Sequence, residues 1–386
     1  MITRRSFLGG SLAAAATAVP LGAWVLGTAG TASAATSLPV TIRNNSGKFR
    51  SSDLFFYVVG TNLKTNEMGF VRPDGTFKAA ALSDNGADGF ADLSIPFSGE
   101  QATTTLPQMS GRIYFSAGAK LKFKVVDGGG KPALQFPAGW VKTDPSFNVL
   151  HDCVEFTLND AGMFCNTTMV DMFSMPLSIT LNGTKQQTTG TLKAGGRNQI
   201  FSALKADPVF SKLVVNDLRV IAPGHGIEAG LFPDTFFAPF IDAVFAKYAA
   251  QPMTVTANGK TFKGQVSGGK LVFDGGCQAF AKPSTRDVLF CDGALSAPND
   301  GVTGPVAAML GAAFNRTTLL ASTTQPVSNA GAFYQEKVTN LYSKAMHAAS
   351  VDGKAYGFAF DDILDFAAFI LDNKPTSLTV TLTPFA

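Results

Sequence analysis

His151-Asp-Cys-Val-Glu-Phe-Thr-Leu-Asn-Asp160 is the stretch that decides how this chain folds. Val154, Phe156 and Leu158 recur at every second position, so an extended backbone turns all three to one side. Cys153, Glu155, Thr157 and Asn159 then share the other side, the pattern of a strand with one face in a core. Downstream lie Ala161-Gly-Met-Phe-Cys-Asn166 and a second strand-like run, Thr168-Met-Val-Asp-Met-Phe-Ser-Met175. Pairing the two as a hairpin centred on Met163 sets Glu155 opposite Asp171, two acids on one sheet face amid Met and Phe.

Like charges directly across a ladder repel, and a partly apolar setting raises the pKa of one of them. Glycosidic hydrolysis requires that asymmetry: one carboxyl keeps a proton for the leaving oxygen while another, ionised, acts from the opposite side of the sugar. A solvated edge with two unrelated acids, or a structural ion pair, fits the same pattern. Directly opposed residues also have Cβ atoms only about 5 Å apart, whereas inverting hydrolysis uses carboxyls about 6.5–9.5 Å apart.

Working outward, the chain from Leu38 to Thr184 reads as short strands and turns. Pro39–Arg43 alternates and meets Asn44-Asn-Ser-Gly47; Asp53–Val59 stops at Gly60; Pro73-Asp-Gly75 punctuates a hairpin; Gly111–Ser116 and Lys120–Val126 flank Ala117-Gly-Ala119. Such spacing predicts a sandwich or barrel. Past Lys185 the texture becomes mixed α/β. Helices are predicted over 198–205, 236–248, 305–314 and 330–349, with Phe237, Phe240, Ile241, Val244 and Phe245 on one side of the second. Strands are expected at 213–221, 253–257 and 270–273. Ser377-Leu-Thr-Val-Thr-Leu-Thr383 returns to a clean period of two. The reading is a mainly β protein with an α/β part: a β-barrel or sandwich domain over 35–184, completed by 350–386, carrying an inserted mixed α/β domain over 185–349.

The N-terminus carries Thr3-Arg-Arg-Ser-Phe-Leu8, an apolar Ala- and Gly-rich stretch, and Ala32-Ser-Ala34, the three parts of a cleavable signal. The paired arginines point to twin-arginine export, with cleavage after Ala34. The protein is therefore expected to be secreted, with no membrane association once residues 1–34 are removed. Their loss, which includes Arg4 and Arg5 and no acid, lowers the formal charge from +3 to +1. Such a neutral surface gives no electrostatic case for nucleic acid as a partner, and a monomer is expected. Four cysteines in an exported chain point to disulfides, with Cys277–Cys291 favoured as turn-flanked and Cys153–Cys165 completing the simplest pairing. No metal is expected: the chain has no C-x-x-C, and His151, His225 and His347 are scattered.

Cys153-Val-Glu-Phe-Thr-Leu-Asn159, followed by Asn166-Thr-Thr-Met-Val-Asp-Met-Phe-Ser-Met-Pro-Leu177, resembles the catalytic stretch of glycoside hydrolase family 64. Gly111–Ser116, Phe240–Tyr248 and Tyr356-Gly-Phe-Ala-Phe-Asp-Asp362 also resemble that family, so the likeness spans most of the chain. The members are laminaripentaose-producing β-1,3-glucanases of thaumatin-like fold. The resemblance implies a crescent-shaped molecule with a wide, open glucan cleft, and an inverting hydrolase needing no cofactor. Carried over by position, it makes Glu155 the general acid and Asp171 the general base. Thr157 and Asn159 would contact the sugar, and Phe164 stands where a Trp platform is expected.

Other features carry blander readings. Gly224-His-Gly-Ile-Glu-Ala229 fits a loose dinucleotide fingerprint, but Pro233 interrupts the helix it needs, so a Gly-rich turn with a surface His225 is expected. Asp361 and Asp362 either line the cleft or cap a following helix, and the cap is the expectation. No G-x-S-x-G occurs. The rival readings are a non-catalytic thaumatin-like glucan-binding protein, which would bind curdlan without releasing reducing sugar, and an exported oxidoreductase, which would carry a chromophore or nucleotide.

Overall fold

The structure is a computed structural model that describes residues 36–385 apart from Ser98. The signal segment and its cleavage point lie outside the described residues. The principal strands are β1 (Ser37–Asn44), β2 (Leu54–Asn62), β3 (Gln101–Pro107), β4 (Met109–Ala117), β5 (Leu150–Asn159), β6 (Gly162–Asn166), β7 (Leu177–Asn182), β8 (Phe369–Asp372) and β9 (Ser377–Leu382). One sheet runs Gln187–Thr189, β7, β9, β1, β3; the other runs β8, β6, β5, β4, β2, Glu67–Val71, Phe77–Ala79, with Ile95–Pro96 beside β2. β1 and β9 pair in parallel, from Val40 opposite Leu378 to Asn44 opposite Leu382, and β7 lies antiparallel on the other side of β9.

The two sheets close on one core. Leu38, Val40, Ile42, Ile179, Leu378 and Val380 enter it from the first sheet; Phe56, Val58, Ile113, Phe115, Val154, Phe156 and Leu158 enter from the second. This is the sandwich that the alternation predicts, and it fixes the register of β5. A one-residue slip would expose Phe156, forfeiting about 1.5–3 kcal/mol of burial, and would drive Glu155 into the core. Glu155 therefore faces outward.

A second core gathers the middle of the chain. It holds helices α1 (Gly196–Lys205), α2 (Pro223–Glu228), α3 (Ala238–Ala250), α4 (Thr285–Phe290), α5 (Thr303–Asn315) and α6 (Leu341–Ala349) and a five-stranded sheet that includes Met253–Ala257, Lys260–Ser267 and Lys270–Phe273, with α3 and α5 packed on the sheet. Phe237, Phe240, Ile241, Val244 and Phe245 all enter this core, as the spacing predicts.

Several elements differ from the sequence reading. The helix predicted over 330–349 starts only at Leu341. Tyr334 takes a left-handed φ of 58°, which no continuous helix tolerates, and the Asn340 side chain accepts the Ser343 N–H to begin α6 afresh. The strand expected over 213–221 is a hairpin of Val214–Val215 and Arg219–Ile221. Ladder pairing beyond Phe123 begins only at Lys124, against Pro132–Gln135 rather than β4. The four cysteines are buried and none forms a disulfide, so the expected bridges are absent among the described residues. Cys165 shares the core face of Phe156, its register partner, while Cys153 faces the other way; Cys277 and Cys291 belong to separate apolar clusters. Among the described residues no helix is long and apolar enough to cross a membrane.

Candidate active site

Ladder register builds two rows of side chains on the outer face of the second sheet. Val59, Arg112, Glu155 and Asn166 align in one, and Thr61, Ser110, Thr157 and Phe164 in the next. Arg112 organises the first row. Its Nε and Nη2 donate to Glu155 Oε1 at 3.2 and 2.9 Å, Nη2 also donates to Asp171 Oδ2 at 3.3 Å, and Nη1 donates to the Tyr114 hydroxyl at 3.1 Å. Burial opposes the Arg112 charge, but the acids beside it, Glu155 and Asp171, outweigh burial and hold the guanidinium protonated. Burial likewise pushes the Tyr114 hydroxyl and the Cys153 thiol up, so both stay neutral.

Glu155 and Asp171 converge on Arg112, but not as a facing pair on a hairpin. The chain reverses at Asp160 and Ala161, with Asn159 Oδ1 accepting the Ala161 N–H at 2.9 Å and Gly162 at a φ of 126°. Glu155 consequently stands opposite Asn166, and the chain leaves the sheet before Asp171. Thr168 bridges to Tyr356, the Met169 N–H donates to the Tyr356 carbonyl, and the Ala222 N–H donates to the Asp171 carbonyl at 3.0 Å. Behind, the Asp152 Oδ2 accepts the N–H groups of Ser174 and Met175 at 2.7 and 3.0 Å. Burial pushes Asp152 up to about 7 against the pull of these donors and of Arg219. The bend is therefore pinned on both flanks, and the two acids share Nη2 of one guanidinium instead of facing each other across a ladder.

The remaining expected residues fall on the same face. Thr157 and Ser110 hydroxyls are 2.8 Å apart, and Phe164 is Thr157's register partner on the other side. Beyond them a cavity of about 380 Å³ is lined by Thr36, Leu63, Lys64, Gln108, Asn159 and Asp160. Asn166 is buried; its Nδ2 donates to Glu155 Oε2 at 3.4 Å, while its Oδ1 has no hydrogen-bond partner.

His225 overturns its sequence reading twice: it lies in helix α2 rather than in a turn, and it is buried rather than on the surface. Its Nε2 is 2.9 Å from Asp171 Oδ1 and its Nδ1 is 2.8 Å from Glu228 Oε2. Trp140 stacks on the ring at 4.3 Å with planes 19° apart, and Phe290 meets it edge-on at 5.5 Å. Gly224 permits this packing, since a Cβ there would lie 2.8 Å from the Phe290 ring. Contacts between residues so distant in sequence left no local signal. Arg112 was more accessible, because alternation through Gly111–Ser116 already puts it on one face with Tyr114. Asp361 caps no helix; it is fully buried, in contact with Arg316 at 3.2 Å and His347 at 3.0 Å. Among the described residues no group of three His, Cys, Asp or Glu is arranged to hold a metal.

Two buried carboxyls sharing an arginine on the outer face of a β-sandwich supply the pair of acids that glycoside hydrolysis uses. The β-1,3-glucanase family model, that of glycoside hydrolase family 64, matches residues 36–382, and the chain belongs to this family as an enzyme of the glucan endo-1,3-β-glucosidase kind. Glucan endo-1,3-β-glucosidases of Cellulosimicrobium cellulans and of Arthrobacter sp. (strain YCWD3) are each 35% identical to it over 380 residues, covering 94% of this chain and 68% of theirs. A laminaripentaose-producing β-1,3-glucanase, crystallised with laminaritetraose, superposes with a TM-score of 0.84 at 37% identity, covering 91% of this chain and all of the other. A β-1,3-glucanase domain of the same family from Clostridium beijerinckii gives 0.78 at 26% identity, covering 90% and 98%.

Proposed function

We propose that this enzyme is exported, is cut after Ala34, and hydrolyses β-1,3-glucan as a monomer by inversion at the anomeric carbon, releasing laminaripentaose. The observation that carries the mechanism is Arg112 held between Glu155 and Asp171. One guanidinium bridges the two carboxyls, which do not stand directly opposite each other on the ladder. It grips Glu155 through Oε1 alone, leaving Oε2 to hold a proton beside Asn166. An amide suits both states of that acid, donating to the carboxylate and accepting from the protonated form. Both acids are held by Arg112, and Asp171 is told apart by a second contact, from its Oδ1 to His225 Nε2, which suits it to the role of base. Glu155 then protonates the glycosidic oxygen while Asp171 takes a proton from the attacking water on the opposite side of the ring.

Thr157, Phe164 and Asn159 continue the face from Glu155 toward the cavity at Asn159, a path suited to an extended polymer. The thaumatin-like barrel, the crescent outline and the product length belong to the same proposal and rest on the family resemblance. Residues 185–349 are read as an insertion, supported by the direct pairing of β7, before them, with β9, after them. The substrates named for the similar proteins speak against the non-catalytic alternative. Laminarin hydrolysis by Glu155→Gln and Asp171→Asn tests the assignment: each should stay folded and lose activity by about 100-fold or more. Proton NMR of the first product should show the α-anomer. Full activity in either variant, or a β-anomeric product, would overturn it.

A further inference from the structure

We propose that His225 is a positioning residue for Asp171, held as an imidazolium between Asp171 and Glu228, and that its charge keeps the base ionised and oriented. The inference rests on the reading of Asp171 as general base and adds to it a second cation that sets the pH range in which the base works.

The geometry requires the charge. Both ring nitrogens lie within hydrogen-bond distance of carboxylate oxygens, Nε2 at 2.9 Å from Asp171 and Nδ1 at 2.8 Å from Glu228. An ionised carboxylate only accepts, and a neutral imidazole has a single N–H. Two ionised partners therefore call for two N–H groups, which only the imidazolium supplies. Trp140 lies flat over the ring at 4.3 Å, presenting the electron-rich face that attracts a cation.

The charged groups around His225 come from several elements. Asp171 faces it from the bend before Met172, with Arg112 of β4 on the far side of that carboxylate at 3.3 Å. Glu228 faces it from α2 itself. Arg286 of α4 stands 3.7 Å from Glu228 and 3.0 Å from Asp292, and Phe290 adds an uncharged edge. Glu228 is the outer end of the series, its side chain 46% exposed against 9% for His225 and 11% for Asp171. Asp171 is thus flanked by two cations. Nε2–H fixes Oδ1, and the carboxylate is prevented from turning as substrate enters.

His225→Gln separates charge from shape, since the amide can still donate to Asp171 but cannot be protonated. Removing a cation from beside a carboxylate makes it hold its proton to higher pH. The acid limb of kcat/KM on laminarin should therefore move up by about one pH unit, with KM changed by less than about threefold. In the parent enzyme, nitrogen-15 NMR of the imidazoles, with His225 identified by its loss in His225→Gln, should show both ring nitrogens protonated at about pH 7. In Glu228→Gln, at a half-exposed position, the same signal should titrate at lower pH. An acid limb that stays put in His225→Gln, or a neutral His225 ring at pH 7, would overturn the proposal. If His225→Gln does not fold, the NMR of Glu228→Gln decides alone, with His225 assigned by the shift that variant produces. Asp171→Asn is the control: its retained activity would defeat the reading of Asp171 as base, whereas its inactivity alongside an unmoved limb would defeat only the role of His225.

Discussion

His151→Gln and Asp152→Asn should change the stability of this enzyme with opposite dependence on pH, although the two residues are neighbours. His151 is fully buried, its Nδ1 bonded to the Val149 carbonyl at 2.8 Å, and burial together with Arg219 lowers its pKa from 6.5 to about 3. Asp152 is moved the other way, from 3.8 to about 7, because burial outweighs its backbone donors. Below about pH 6.5 the unfolded chain gains a proton on His151 that the folded protein refuses, so stability falls as pH falls. Above about pH 4 the unfolded chain gives up a proton from Asp152 that the folded protein keeps, so stability falls as pH rises. Each shift spans roughly three units, and each unit is worth about 1.4 kcal/mol, so each residue alone changes stability by about 4 kcal/mol. Between about pH 4 and 6.5 the two slopes cancel in the parent. Urea unfolding followed by circular dichroism at a series of pH values reads the difference between variant and parent, in which all other groups drop out. His151→Gln should gain on the parent by about 1.4 kcal/mol for each unit that pH is lowered, and Asp152→Asn by the same amount for each unit that it is raised. Any fixed packing cost offsets each line without changing its slope. Two flat lines across pH 4 to 7 would refute the reasoning, for burial would then have moved neither group.

Two further substitutions probe the site's framework. Arg112→Lys keeps the charge but replaces a planar fork with a point donor that cannot serve Glu155, Asp171 and Tyr114 together. It should lower kcat on laminarin by about tenfold or more and cost about 2–4 kcal/mol in urea unfolding; an unchanged kcat would show that the fork is dispensable. Gly224→Ala would push a methyl into the Phe290 ring behind His225, costing about 1–3 kcal/mol by overpacking. The thermal midpoint should fall by a few degrees, and no change would show that the ring yields freely.

The sheet was legible in the sequence wherever one face meets a core and the other does not. Val154, Phe156 and Leu158 announce their own side, and that placed Glu155, Thr157 and Asn159 correctly. The register across the hairpin was not obtained, because Met163 was taken as its centre. Asn159-Asp-Ala-Gly162 holds the turn chemistry that would have located the reversal, and with it the pairing of Glu155 with Asn166. Asp171 was expected opposite Glu155 on the ladder; it reaches the same arginine instead, by a path no strand pattern encodes, its segment held by Tyr356, Ala222 and Asp152. His225 and Trp140 meet across the fold, and neither carries a periodicity that could have joined them. The same holds for Asp361, whose partners Arg316 and His347 come from two other segments. Cysteine spacing misled because proximity in sequence says nothing about which face of a strand a thiol occupies.

The parallel pairing of β1 with β9 has a consequence for how the enzyme is made. The first described strand lies between β3 and β9, and its parallel partner β9 follows it in the chain only after residues 185–349. Until then β1 holds an open edge, and the sandwich behind Glu155 lacks its closing wall. The acid thus gains its rigid support only once residues 185–349 and β9 have followed, so a chain cut short before β9 would be inactive and prone to pair through that edge with its own kind.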